Sequence, residues 1–334
     1  SNLTAFANKA ARRDGQPFKD YARLHRWSVE QRADFWDLIW EHCGAIGNKG
    51  TTALADGGSM LADRFFPEAR LNYAENLLSR TGAEPALIFR GEDKAEARWS
   101  WDELHQTVSR LQQALTAEGV GPGDRVAAMM PNIPETVAMM LAVTSIGGVW
   151  SSCSPDFGPQ GALDRFQQIR PKIFVGVAAY WFKGRAIDCS AKLVEVAAKL
   201  GAQKTLVVGY AGDAEATTAQ ILQGQSYDSF ISPFRTQTVQ FTRLPFNHPL
   251  FILYSSGTTG MPKCIVHGAG GSLLQHLKEQ QLHCDLKAGD RLFYFTTCGW
   301  MMWNWLVTGL ASGATLCLLD GSPFHPSGEV LWDF

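Results

Sequence analysis

No stretch of the 334 residues is apolar for long enough to cross a bilayer. The longest nearly apolar run, residues 137–150, falls short of the ~18 residues a span requires, and reads as a buried helix running into a strand. An excess of charge is also missing. Thirty Lys and Arg against 32 Asp and Glu leave a net charge of −2, which argues for neither a nucleic-acid partner nor a membrane-surface partner. The seven cysteines, at positions 43, 153, 189, 264, 284, 298 and 317, are odd in number, scattered, and contain no Cys-x-x-Cys pair. That disfavours a disulfide framework and a structural zinc site, and makes a reducing cytoplasm the natural compartment. His276, His283 and Cys284 come nearest to a metal cluster, with spacings that suit one helix face, but they lack a carboxylate or a second pair, so no metal is expected. The chain opens Ser1-Asn2-Leu3-Thr4, with no initiator Met and no hydrophobic signal core. No internal repeat or low-complexity segment is evident, and no Ser-His-Asp triad or nucleophilic Cys has supporting context.

Helix and strand signals alternate from about residue 85 onward. Ser100-Trp101-Asp102-Glu103 is a capping box for a helix whose Leu104, Val108, Leu111 and Leu115 share a face and which ends at Gly119. A Gly121-Pro122-Gly123-Asp124 turn leads into a strand over 125–130, and Pro134 opens the next helix. Further strands are expected at 149–152, 172–177, 205–208, 250–254, 291–295 and 315–319, with helices near 160–169, 189–200, 270–284 and 301–311. The fold class is α/β, layered sheets with flanking helices. The first 80 residues differ, being rich in Trp, Phe and Arg, with an amphipathic stretch over 32–42 and a glycine-rich loop over 44–58. They read as a mainly helical N-terminal extension whose aromatics serve packing.

The most informative segment is Tyr254-Ser255-Ser256-Gly257-Thr258-Thr259-Gly260-Met261-Pro262-Lys263, directly after an apolar run that reads as a buried strand. Ser255, Ser256, Thr258 and Thr259 supply hydroxyl donors, Gly257 and Gly260 let backbone N–H groups approach an anion, and Lys263 adds positive charge. This is the composition of a polyphosphate-binding loop. A Walker A loop is excluded, because only two residues separate Gly257 from Gly260 and Pro262 stands where glycine would precede Lys263, so P-loop kinases and GTPases are disfavoured. A plain surface turn is the competing reading.

The loop resembles the signature loop of the adenylate-forming superfamily, which includes acyl-CoA synthetases, peptide-synthetase adenylation domains and luciferases. Residues 65–78 are similar to the entry segment of short-chain acyl-CoA synthetases, and residues 150–158 and 297–305 resemble the branch that activates acetoacetate. The resemblance implies an acid–thiol ligase that uses ATP, Mg²⁺ and coenzyme A and joins acetoacetate to CoA through an acyl-adenylate. It implies that Thr258 and Thr259 contact the leaving phosphates, with Ser255, Ser256, Gly257, Gly260 and Lys263 completing the loop. Lys263 has a second reading, a tie between loop and body through a carboxylate. Trp300, Met301 and Met302 align with acyl-pocket residues, Asn304 or Trp300 is a candidate donor to the 3-oxo group, and Lys183 and Arg185 fall where CoA's 3′-phosphate is met. The implied division is an extension over 1–80 and the first part of the AMP-binding domain over 81–334. About half of the usual synthetase is expected to be absent, with the adenine, ribose and catalytic-lysine elements. The alternatives are another short-chain acyl-CoA synthetase, or a non-catalytic nucleotide-binding, CoA-binding or interaction fragment.

Overall fold

In the computed structural model, which describes residues 1–255 and 260–334, three helices come first: α1 (Asn2–Asp14), α2 (Tyr21–Glu30) and α3 (Arg32–His42). Two of them start at side-chain caps, where Ser1 accepts from the Thr4 N–H and Asp20 from the Arg23 N–H. Their aromatics pack edge to face, Phe6 on Phe35 with centroids 5.8 Å apart and Phe35 on Trp27 at 6.2 Å, as expected of packing residues. A short helix, α4 (Tyr73–Leu77), leads into the α/β body.

The body holds two principal sheets. The smaller contains the hairpin β1 (Pro85–Gly91) and β2 (Ala95–Ser100) together with β12 (Arg291–Phe293) and β13 (Thr315–Asp320), in the order β12-β13-β1-β2. The larger contains β3 (Arg125–Met129), β4 (Val149–Cys153), β5 (Ile173–Val177), β8 (Lys204–Val208), β9 (Gly224–Ser226), β10 (Pro249–Ser255) and β11 (Lys263–Gly268), in the order β9-β8-β5-β3-β4-β10-β11. Every pair in it is parallel except β10 with β11. A separate hairpin, β6 (Ala179–Phe182) and β7 (Arg185–Asp188), follows β5. The remaining long helices are α5 (Trp101–Ala117), α6 (Pro134–Ser145), α7 (Pro159–Ile169), α8 (Ser190–Leu200), α9 (Ala269–Lys278) and α10 (Met301–Thr308). None of the described helices is long and apolar enough to cross a membrane.

Sequence signals explain most of these boundaries. The capping box at α5 forms in full: Ser100 Oγ accepts from the Glu103 N–H at 3.1 Å while the Glu103 carboxylate accepts from the Ser100 N–H at 2.7 Å. Gly119 (φ 73°) supplies the left-handed exit. Pro134 sits at the first turn of α6, and eleven of that helix's twelve residues are buried, as the apolar run from 137 suggested. Helix α6 packs on α4, α5 and β4, while α5 in turn covers β1 and β2, so helices separate the two sheets.

Two expectations change. The helix expected over 270–284 stops at Lys278 and continues as a π turn, Glu279–His283, so His283 and Cys284 are not a continuation of the α-helical face bearing His276. His276 belongs to the core instead: its Nδ1 lies 2.7 Å from Thr308 Oγ1, which is also 2.7 Å from the Tyr73 hydroxyl. Burial pushes the imidazole down to about 4. The helix near 301–311 likewise divides, α10 giving way to a 3₁₀ turn over Gly309–Ser312.

Asn72 ties α4 and α6 to the loop at Thr242. Its Oδ1 caps α4 by accepting from the Glu75 N–H at 3.1 Å, and its Nδ2 lies 2.9–3.0 Å from the carbonyls of Thr144, Ser145 and Thr242. Asn72→Ala removes the cap and one donor to each of these carbonyls, of which Thr144 and Ser145 keep a backbone N–H from Gly147 and Thr242, so it should cost about 1–3 kcal/mol of stability. Urea unfolding that leaves the midpoint unchanged would show the knot to be dispensable.

Candidate functional site

Loops at the carboxyl ends of parallel strands are where open α/β sheets gather ligands. Here three such ends meet: Pro131 and Asn132 after β3, Ser154 to Asp156 after β4, and Asp320 with Gly321 at the end of β13. With Tyr180 and Phe182 of β6 and Phe295 to Thr297 they enclose a cavity of about 210 Å³. Its walls are held by buried polar contacts. Trp303 Nε1 donates to Asn132 Oδ1 at 2.9 Å, and Ser152 Oγ donates to the Cys298 carbonyl at 2.7 Å. Lys192 Nζ donates to the Pro155 carbonyl, and the Trp150 and Trp303 rings stack with centroids 6.5 Å apart.

Asp320 is the chemically unusual member. Its Oδ2 is buried without a hydrogen-bond partner among the described residues. Burial pushes its carboxyl up to about 7, and the nearby Glu92 charge adds to that. Sequence reasoning missed it; the available signal was an acid closing the apolar strand β13 immediately before a glycine. Asn132 and Glu92 were missed too, since nothing local marks them.

The glycine-rich loop connects β10 to β11, so the strand expected before it is present and a second, unforeseen strand follows. Ser255 and Lys263 face each other across the first rung of this hairpin. Gly260 has φ 133°, a conformation that favours glycine. Ser256, Gly257, Thr258 and Thr259 lie outside the described residues. Neighbouring elements brace the hairpin: Gln168 Nε2 of α7 donates to the Pro262 carbonyl at 2.9 Å, and Ser151 Oγ lies 2.9 Å from the Tyr254 hydroxyl. Lys263 is exposed, and among the described residues it enters no ion pair that would tie it to the body.

The other candidates separate. Trp300 caps the start of α10 with 70% of its surface exposed, and Met301 is 43% exposed, so the described residues do not close a pocket over them. Trp303 and Trp305 are buried core. Asn304 is buried as well, with neither amide atom partnered among the described residues. Lys183 and Arg185 stand at the tip of the β6–β7 hairpin, one and three residues beyond the cavity-lining Phe182.

The family model for AMP-binding enzymes matches residues 75–334. The chain belongs to the AMP-binding enzyme family. Over all 334 residues it is 60% identical to the acetoacetyl-coenzyme A synthetase of Rhizobium meliloti (strain 1021), and over its whole length 40% identical to the acetoacetyl-CoA synthetase of Gallus gallus. A solved structure of acetoacetyl-CoA synthetase from Streptomyces lividans superposes with a TM-score of 0.92 at 39% identity, covering 99% of this chain. The chain spans about half the length of these relatives, 51% of each. Membership of this AMP-binding family and the layered α/β fold therefore agree with the resemblance first seen in the loop and in residues 150–158 and 297–305.

A raised acid makes a signed prediction. Between the unfolded value near 3.8 and about 7, the folded chain holds the Asp320 proton more tightly than the unfolded chain does. Its contribution to stability is therefore full below the unfolded value, falls as pH rises, and levels off above about 7. Asp320→Asn should gain on the wild type by up to roughly 4 kcal/mol between pH 4 and pH 8. Parallel stability profiles for the two proteins would contradict this.

Proposed function

We propose that this chain forms part of an acid–thiol ligase that joins acetoacetate to coenzyme A at the expense of ATP, through an acetoacetyl-adenylate, with release of AMP and pyrophosphate. The observation that carries the reading is the 60% identity over the entire chain to an acetoacetyl-CoA synthetase, supported by a strand-anchored hairpin that carries the Ser/Thr/Gly loop. The division into an extension over 1–80 and the first part of the AMP-binding domain over 81–334 belongs to the same proposal.

In the adenylation step a carboxylate oxygen of the acid attacks the α-phosphorus in line with the departing pyrophosphate. Negative charge grows on the leaving oxygens, and Thr258, Thr259, Ser255 and Lys263 answer it with hydroxyl donors and a positive charge. The antiparallel pairing of Ser255 with Lys263 suits that task, because it anchors both ends of the intervening loop. Mg²⁺, carried in on the nucleotide phosphates, would supply further charge neutralisation. In the second step the CoA thiol displaces AMP, and the hairpin bearing Lys183 and Arg185 beside the 210 Å³ cavity offers cations for the CoA 3′-phosphate.

The identity of the acid rests on Trp300, Met301 and Met302 and on the buried Asn304 amide near them, which has no partner among the described residues. Because Trp300 and Met301 lie open in the described residues, a different short-chain acid is the runner-up. Acid-dependent ATP–pyrophosphate exchange by the full-length protein separates the two. Exchange supported selectively by acetoacetate is expected from a panel with acetate, propionate and butyrate; preference for another acid removes the substrate, and no exchange with any removes the reaction. Combined Thr258→Ala and Thr259→Ala should slow that exchange by about 10²-fold or more. An undiminished rate would take the loop out of the chemistry.

A further inference from the structure

Glu92 lies in the turn joining β1 to β2 and is 1% exposed, an uncommon setting for a carboxylate. No lysine or arginine side chain pairs with it among the described residues. Backbone amides surround it instead. Oε1 accepts from the Lys183 N–H at 2.7 Å and the Ser322 N–H at 2.8 Å, and Oε2 accepts from the Gly184 N–H at 2.6 Å. Its own N–H donates to the Asp320 carbonyl at 3.2 Å. Lys183 (φ 53°) and Gly184 (φ 75°) are both left-handed, as the two central residues of a type I′ hairpin turn must be, and both of their amides point at one carboxylate. Two glycines leave room for this arrangement. A Cβ on Gly321 would stand 2.3 Å from the Glu92 Cγ, and one on Gly184 would stand 2.7 Å from the His325 ring.

These amides belong to two walls of one cavity. The β6–β7 hairpin brings in Tyr180 and Phe182 and bears Lys183 and Arg185; the turn after β13 brings in Asp320 and Gly321. Asp93 and His325 stand close enough to Glu92 to form a cation-binding trio, yet both Glu92 oxygens are already engaged by backbone donors. We propose that Glu92 is a positioning residue, a buried carboxylate that fastens the hairpin tip to the β13 turn and so fixes where Lys183 and Arg185 meet a phosphorylated ligand at the cavity mouth. The functional half of this rests on the CoA reading given above; the clamp itself does not.

The test compares Glu92→Gln and Glu92→Asp with wild type in the full-length protein. The glutamine keeps the shape but turns one acceptor into a donor facing an N–H, and the aspartate keeps the charge while drawing it back. Amide hydrogen exchange at Lys183, Gly184 and Ser322 should quicken by about tenfold or more in Glu92→Gln. The KM for CoA should rise by about tenfold, with ATP–pyrophosphate exchange, which needs no CoA, within about twofold of wild type, and Glu92→Asp should recover part of the loss. Unchanged amide exchange overturns the clamp. Quickened amides with an unmoved KM for CoA, or an equal loss in both half-reactions, overturn the positioning role. Arg185→Ala with an unmoved KM for CoA refutes the CoA reading itself, an outcome that the amide measurement in Glu92→Gln distinguishes from a failed clamp.

Discussion

The burial of α6 on nearly every side is the constraint from which the rest of the arrangement follows. Eleven apolar or hydrogen-bonded residues leave no face for solvent, so the helix must be covered by α4, α5 and β4 at once. Its start is fixed by Pro134, whose missing N–H needs no partner there, and its end by the carbonyls of Thr144 and Ser145 that meet Asn72. Once α6 is held, Pro131 and Asn132 just before it are held too, and with them one rim of the cavity. The large sheet is likewise parallel and buried at its centre, which is why β3 and β5 read as short, largely apolar runs without alternation, while β4 buries Ser151 and Ser152.

Much of this was legible in the sequence wherever the signal was local. The α5 capping box, the glycine exit after it, Pro134 and the apolar strands all carry their own punctuation. Strand β11 does not: four of its six residues are exposed, so there is no two-residue alternation to notice, and it exists because β10 offers it an edge. The β1–β2 hairpin escaped for a related reason, its outer strand being half-exposed and charged along Glu96 and Arg98. The π turn after α9 is a tertiary effect, closed where Gln280 Nε2 reaches the Trp305 carbonyl at 2.6 Å.

The candidate site divides along the same line. The glycine-rich loop announces itself through composition, whereas Lys183 and Arg185 come forward only through family resemblance and their hairpin not at all. Glu92 is separated from its partners by 91 to 230 positions in the chain, and Asp320 is an ordinary acid until the fold removes water from around it. Burial then treats the two differently. Glu92 finds three N–H donors, whereas the Asp320 Oδ2 finds none among the described residues and the proton stays on to about 7.

Helix α7 begins at Gly158-Pro159, two residues beyond the Asp156 wall of the cavity, and near its far end Gln168 grips the Pro262 carbonyl behind the glycine-rich loop. Eleven residues of helix make a rod about 16 Å long. The rod acts as a spacer with one foot at the cavity and the other on the loop, so a helix length, together with the pairing of β4 with β10, sets the separation between those places. A change that tilts or shortens α7 must therefore shift both places together.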